Sequence, residues 1–143
     1  MNTFEAQILT PEGSLYEGVV TGVKVPGLQG SFEIKSHHAS IVSTLEIGSV
    51  LVRRNGDPNL VFAVSGGFVE MNDNKLTLLA EAAENVDDID VERARESRKR
   101  ALKRMGKSGI DKDRSVQSRL RAENRLKLAG ANVEDEKTEA AAG

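Results

Sequence analysis

The chain has no cysteine and no tryptophan, and its 143 residues include only five aromatics: Phe4, Tyr16, Phe32, Phe62 and Phe68. Without cysteine there is no disulfide framework and no thiolate metal site. The two histidines, His37 and His38, are adjacent. Adjacent residues rarely share one small metal site, so no metal centre is expected. No run of about 18 apolar residues occurs, which argues against a membrane-spanning helix. The opening MNTFEAQIL lacks a basic segment followed by an apolar one and does not read as a signal peptide. Serines are plentiful, but nothing marks one as activated, and no nucleophile–base–acid set can be assembled. These absences leave a soluble, cytosolic protein with no enzyme chemistry of its own and no required cofactor.

What is present is strongly divided by charge. Residues 1–89 carry 5 Lys or Arg against 12 Asp or Glu, residues 90–129 carry 14 against 6, and residues 130–143 carry 1 against 4. The overall net charge of −2 conceals an acidic body, a basic arm and an acidic tail. Charge blocks of this kind steer partners rather than set a fold.

The hydropathy pattern divides at the same place. FEAQILT alternates Phe4, Ala6 and Ile8 with polar residues, the period of a half-buried strand. PEGS is turn chemistry, and VVTGVKVPG sets Val19, Val23 and Val25 on one face. GSVLVRRNGDPNLVFAVSGG reads as two strands around Asn55-Gly56, and GGFVEMNDNKLTLLAE as a hairpin turning at Asn72-Asp73-Asn74. The doublet Gly66-Gly67 inside strand-like sequence predicts a bulge or a close backbone approach. Many short strands separated by turns predict an all-β sandwich. Its predicted core is Ile8, Val23, Val25, Val50, Val52, Phe62, Val64, Val69, Leu76 and Leu78.

From residue 90 the period becomes helical. Val91, Ala94, Ala101, Leu102 and Met105 form one weak stripe, with Arg98 interrupting it. Val116, Leu120, Leu126 and Ala129 form a second, ending at Gly130. Two helices joined by a short glycine-containing loop predict an antiparallel hairpin. Seven of residues 90–105 are basic, so the pair can bury little apolar area and is free to change its docking. The tail ANVEDEKTEAAAG has little to bury and reads as disordered. The predicted organisation is a sandwich over 1–86, a helical hairpin over 87–130 and an acidic tail over 131–143.

Three motifs invite a chemical reading. MGKSG, residues 105–109, ends like a phosphate-binding loop, but the first glycine of that loop would fall at Ala101, inside a helix, with no preceding strand. The basic arm could neutralise nucleic-acid phosphates. It contains no aromatic to stack on bases, so a partner-facing surface is the better reading and no nucleic-acid partner is expected. IDVERA, residues 89–94, fits an N-cap at Asp90 with Ile89 and Ala94 at staple positions. The echo IDKDRS, residues 110–115, opens the second helix in the same way.

Taken in order, LTPEGSLYEGVVTGVKVPGLQGSF, HHAS, GSVLVRR, FAVSGGFVEMNDNKLTLLAEAAE and the basic hairpin resemble the epsilon subunits of F-type ATP synthases, over roughly residues 3–129. The resemblance implies a sandwich of about ten strands followed by a two-helix hairpin, in a noncatalytic rotor subunit of the central stalk. It implies a sandwich that binds the gamma subunit and rests on the c-ring, peripheral to the cytoplasmic face of a bacterial inner membrane. It also implies helices that extend into the catalytic alpha/beta head and inhibit ATP hydrolysis. Some family members bind ATP as a regulatory ligand through Ile/Leu-Asp-x-x-Arg-Ala. Carried over residue by residue, that site comprises Glu84, Ile89, Asp90, Arg93, Ala94, Arg100, Arg121 and Arg125. The family loop that faces the c-ring or gamma falls on Ser31, Phe32, Glu33, His37 and His38. Glu33 and Ser40 stand where the family often has glycine and proline.

Overall fold

The computed structural model describes residues 2–105 and 112–130. The phosphate-loop-like stretch at 106–109, Ile110 and Asp111 of the second cap motif, and the tail at 131–143 lie outside the described residues. The chain forms two compact units, Met1–Asn85 and Val86–Gly143.

The first unit consists of ten strands: β1 (Phe4–Thr10), β2 (Gly13–Val20), β3 (Gly22–Gly27), β4 (Gly30–Lys35), β5 (Ile41–Leu45), β6 (Gly48–Arg53), β7 (Leu60–Val64), β8 (Gly67–Asn72), β9 (Lys75–Ala80) and β10 (Ala83–Asn85). They follow the order β10-β7-β6-β3-β5-β8-β9-β1-β2, with β4 on β3. The pairing is antiparallel throughout except between β1 and β9, which bring the start of the unit beside its late strands in parallel. Between β3 and β5 the ladder narrows to one pair, Gly27 with Leu45. That constriction divides the ladder into the two halves of the sandwich.

Alternation decides which faces meet. Val52, Val23 and Ile34 are successive cross-strand partners, and so are Val69, Leu78 and Ile8. All six are at most 1% exposed. Every residue of the predicted core is buried, joined by Phe4, Ala6, Val20, Ile34, Leu45, Met71 and Ala80. Fully burying a side chain such as Leu78 contributes roughly 1.5–3 kcal/mol.

Two turns fix the register. Asp73 and Asn74 both have positive φ (51° and 60°) between the paired Asn72 and Lys75. This is the two-residue primed turn whose twist suits a hairpin. At the glycine doublet, Gly67 has φ +119°, and a Cβ there would lie 2.0 Å from the Leu79 carbonyl oxygen. The doublet is therefore a close backbone approach that no side chain permits.

The second unit begins with a single turn of 3-10 helix, Val86–Asp88, and continues as α1 (Val91–Met105) and α2 (Lys112–Leu128). Asp90 caps α1: its Oδ1 accepts the Arg93 amide hydrogen at 3.1 Å, and its carbonyl accepts that of Ala94 at 3.0 Å. The helices pack along each other. Their buried residues are Ala94, Arg98 and Ala101 on α1 and Ser115, Ala122 and Leu126 on α2.

This seam differs from the predicted stripes. Leu102 and Leu120, assigned to the stripes, are 38% and 37% exposed, while Arg98, read as an interruption, is 3% exposed. Arg98 Nε donates to Glu123 Oε1 at 3.0 Å. The pair also fixes the relative direction of the helices. At about 1.5 Å rise per residue, a parallel arrangement with Arg98 beside Glu123 would put Met105 and Lys112 about 28 Å apart. Seven residue steps reach at most about 25 Å. The hairpin is antiparallel.

Candidate functional site

The residues carried over for a nucleotide fall in both units. Glu84 lies in β10, opposite Ala63 of β7. Ile89, Asp90, Arg93, Ala94, Arg100, Arg121 and Arg125 belong to the helical unit.

Within that unit the arginines have a common geometry. Arg93 and Arg100 each precede a seam residue of α1, Ala94 and Ala101. Arg121 and Arg125 each precede a seam residue of α2, Ala122 and Leu126. A step of one residue turns about 100° around a helix, and in antiparallel partners the two senses bring such residues to the same side. The four guanidinium-bearing residues therefore share one face of the hairpin. Arg93, Arg100 and Arg121 are exposed and Arg125 is half-buried. Arg100 Nη2 donates to Ser97 Oγ at 3.2 Å, which ties it along that face. Such a concentration of fork-shaped donors suits a polyphosphate. Asp90 is already engaged as the cap, so capping and any ligand contact involve the same residue.

The loop residues are distributed between a strand and a turn. Ser31, Phe32 and Glu33 lie in β4, opposite Pro26, Val25 and Lys24. Phe32 packs on the sandwich core, and Glu33 forms an ion pair with Arg53. His37 and His38 sit beyond the strand with exposed side chains. His37 has φ 61°, and its amide donates to Asn74 Oδ1 at 2.8 Å. The Asn74 Nδ2 in turn donates to the Thr3 carbonyl at 3.1 Å. The turn that presents the histidines is thus pinned by the β8–β9 hairpin.

Sequence reasoning missed a surface on the sandwich. Phe68 pairs with Leu79, and Leu79 with Leu9, while Leu15 lies at the β1–β2 irregularity beside Leu9. Phe68, Leu79 and Leu15 are 44%, 37% and 39% exposed. Together they form an apolar row across β8, β9, β1 and β2. The parallel row beside it is Glu70, Thr77, Gln7 and Glu17. The next contains Lys75, Glu5 and Val19, with Lys75 Nζ 3.6 Å from Glu5 Oε2. A shallow cavity of about 300 Å³ opens among Glu5, Gln7, Glu17, Val19, Lys75 and Thr77. Leu28, 61% exposed, stands in the β3–β4 turn. Odd-numbered outward residues on β1 and β9 carried the signal, but only the parallel β1–β9 register assembles them.

Among the described residues no group of His, Asp or Glu could hold a metal ion, and no helix is long and apolar enough to cross a membrane.

Comparison with known proteins agrees with the two-unit architecture. The family described as ATP synthase, Delta/Epsilon chain, beta-sandwich domain matches residues 3–86, and the one described as ATP synthase, Delta/Epsilon chain, long alpha-helix domain matches residues 87–130. The ATP synthase epsilon chain of Halalkalibacterium halodurans is 44% identical over 133 residues, covering 91% of this chain and 99% of the relative. That of Nitratidesulfovibrio vulgaris is 40% identical over 126 residues, covering 87% and 93%. A chain in the Euglena gracilis mitochondrial ATP synthase structure, OSCP/F1/c-ring, shares the fold with a TM-score of 0.67 at 19% identity, over 100% of this chain and 83% of that one. One in the Tetrahymena thermophila central stalk/c-ring structure does so at 0.56 and 16% identity, over 87% and 95%. With both units matched and relatives aligned over nearly their full length, the chain belongs to the ATP synthase delta/epsilon family, as a bacterial-type epsilon chain.

Proposed function

We propose that this chain is a noncatalytic subunit of the central stalk, in which the sandwich is the docking body and the helical hairpin the regulatory arm. The observation that carries the reading is the apolar row Leu15, Leu9, Leu79 and Phe68 on the outer face of the sandwich. A face of this kind excludes water well against a matching protein surface, and its flanking Glu17 and Glu70 favour a partner with a basic rim. In the proposed assembly that partner is the gamma subunit. The turn bearing His37 and His38, with Ser31, Phe32 and Glu33 behind it, meets gamma or the c-ring. The chain rides with the rotor, peripheral to the membrane, and so takes part in coupling proton flow to ATP synthesis.

The arm acts on the catalytic alpha/beta head. Its net positive charge suits an acidic surface there, and docking in that position inhibits ATP hydrolysis. ATP acts in the opposite direction: the arginine face, Arg93, Arg100, Arg121 and Arg125, receives its phosphates. Ile89, Asp90 and Ala94, at the start of the same unit, contact the nucleoside. Bound ATP then holds the hairpin folded and withdraws the inhibition.

Reconstitution tests the main reading. ATP hydrolysis by the catalytic head should fall when the full chain is added and recover when the chain is truncated after Val86. Failure to bind gamma together with unchanged hydrolysis would overturn it. Calorimetric titration of ATP tests the arginine face. Arg93→Ala and Arg121→Ala should each weaken binding by about tenfold or more, the loss expected for a charge-assisted contact. Absence of ATP binding by the unmutated chain would confine IDVERA to capping.

A further inference from the structure

The seam of the hairpin is built from small residues and one charged cluster. Leu126 is the one large, fully buried apolar side chain of the described helical unit, and the other buried apolar residues are Ala94, Ala101 and Ala122. Alanines pack nearly as well one helical turn out of register, so they specify little. The Arg98–Glu123 pair does specify. Arg98 is 3% exposed and bonds Glu123 Oε1 at 3.0 Å. Arg119 Nε reaches within 3.8 Å of the same oxygen, is itself buried, and has no hydrogen-bond partner. One carboxylate thus serves two guanidinium groups, and one buried donor is left unsatisfied in the closed hairpin.

We propose that Arg98, Glu123 and Arg119 form a charged latch, which selects the closed register and lets it open reversibly. Glu123 is 27% exposed, so the pair is partly buried; removing one partner weakens the hold on the other charge, whereas replacing both with apolar groups is often neutral or stabilising. Opening into water resolvates all three charges and relieves the orphaned Arg119 Nε. A leucine seam would close as tightly but would resist opening. The latch rests on the reading above that the arm opens in use, and it adds the residues that set the balance.

The absence of cysteine permits a direct test. Glu96→Cys on α1 and Lys127→Cys on α2, both exposed positions, carry spin labels in the full chain. Pulsed electron resonance then gives the distance distribution between them. The parent should show a short distance with a minor long component. Glu123→Gln should raise the open-to-closed ratio by about tenfold or more, because the carboxylate shared by Arg98 and Arg119 loses its charge. Arg98→Met combined with Glu123→Leu should restore the short distance and abolish the long component. Helical circular dichroism accompanies each variant. If Glu123→Gln melts the helices and the double variant restores them, the latch still stands. An unchanged distribution in Glu123→Gln, or a double variant as open as the single one, overturns it. The measurement uses the isolated chain, so its failure leaves the proposed stalk role intact. Conversely, a working latch with no effect of the arm on hydrolysis would overturn the regulatory role alone.

Discussion

The sandwich and the hairpin use opposite means of holding together. The sandwich buries Ile8, Ile34, Met71, Leu76, Leu78 and a set of valines, all below 2% exposure. Its charged residues lie outside that core. The hairpin buries Ala94, Ala101, Ala122 and Leu126 together with Ser115 and Arg98, and its central contact is an ion pair. Apolar burial scales with area and strongly favours the folded state, whereas a buried ion pair gives register with little net stability. The proposed stalk role asks for one part that stays fixed on its partner and one that can let go. The two cores divide along that line.

The sharpest way to break the contrast is at Gly67. Gly67→Ala forces a Cβ against the Leu79 carbonyl at positive φ. It should lower sandwich stability by at least about 3 kcal/mol. Tyr16, the single tyrosine, packs near Phe62 with ring centres 6.1 Å apart. With no tryptophan in the chain, its fluorescence during urea denaturation reports on the sandwich.

Next in size is a matched pair of truncations. Leu78→Ala should cost about 2–5 kcal/mol, read from the tyrosine transition. Leu126→Ala should cost a similar amount but appear in the helical circular dichroism band. That loss exceeds what an alanine seam can bear, so the hairpin should melt while the tyrosine transition stays in place.

Asp90→Ala removes the cap of α1. The loss should be about 1 kcal/mol of helix stability, seen as fraying of the amides of Arg93 and Ala94 in NMR exchange. Asp90→Asn should retain most of the cap. Comparable in stability is Phe68→Ser, at about 1 kcal/mol because the ring is already 44% exposed. Its effect should appear instead in pull-down with gamma, where a marked loss would locate the docking row. Retention of gamma by both Phe68→Ser and Leu79→Ser would place the interface elsewhere.

The contrast also explains how much could be read from the sequence. Strand alternation is local, so all ten predicted core residues, from Ile8 to Leu78, are buried. The turn at Asp73-Asn74 and the glycine doublet were legible because positive φ restricts residue choice. The Asp90 cap was legible for a similar reason: a short acceptor beside free amides is local chemistry. The helix seam was not legible. An apolar stripe selects Leu102 and Leu120, but close helix packing is served by Ala and Ser, and Arg98 is acceptable inside because Glu123 lies opposite, 25 positions away. The docking row was hidden for the same reason, since Leu9 meets Leu79 across 70 residues. The arginines of IDVERA and LRAENRL could be named from the sequence, but their common face follows only once the seam is known.

Native-state hydrogen exchange on the full chain, followed by mass spectrometry, tests the contrast most directly. Peptides from α1 and α2 should exchange at least about a hundredfold faster than those covering β3, β6 and β9, through openings that leave the sandwich intact. Arg98→Met with Glu123→Leu should slow the helical peptides while leaving the strands unchanged. Equal protection of helices and strands, or helices that exchange only when the sandwich does, would contradict an openable arm on a fixed body.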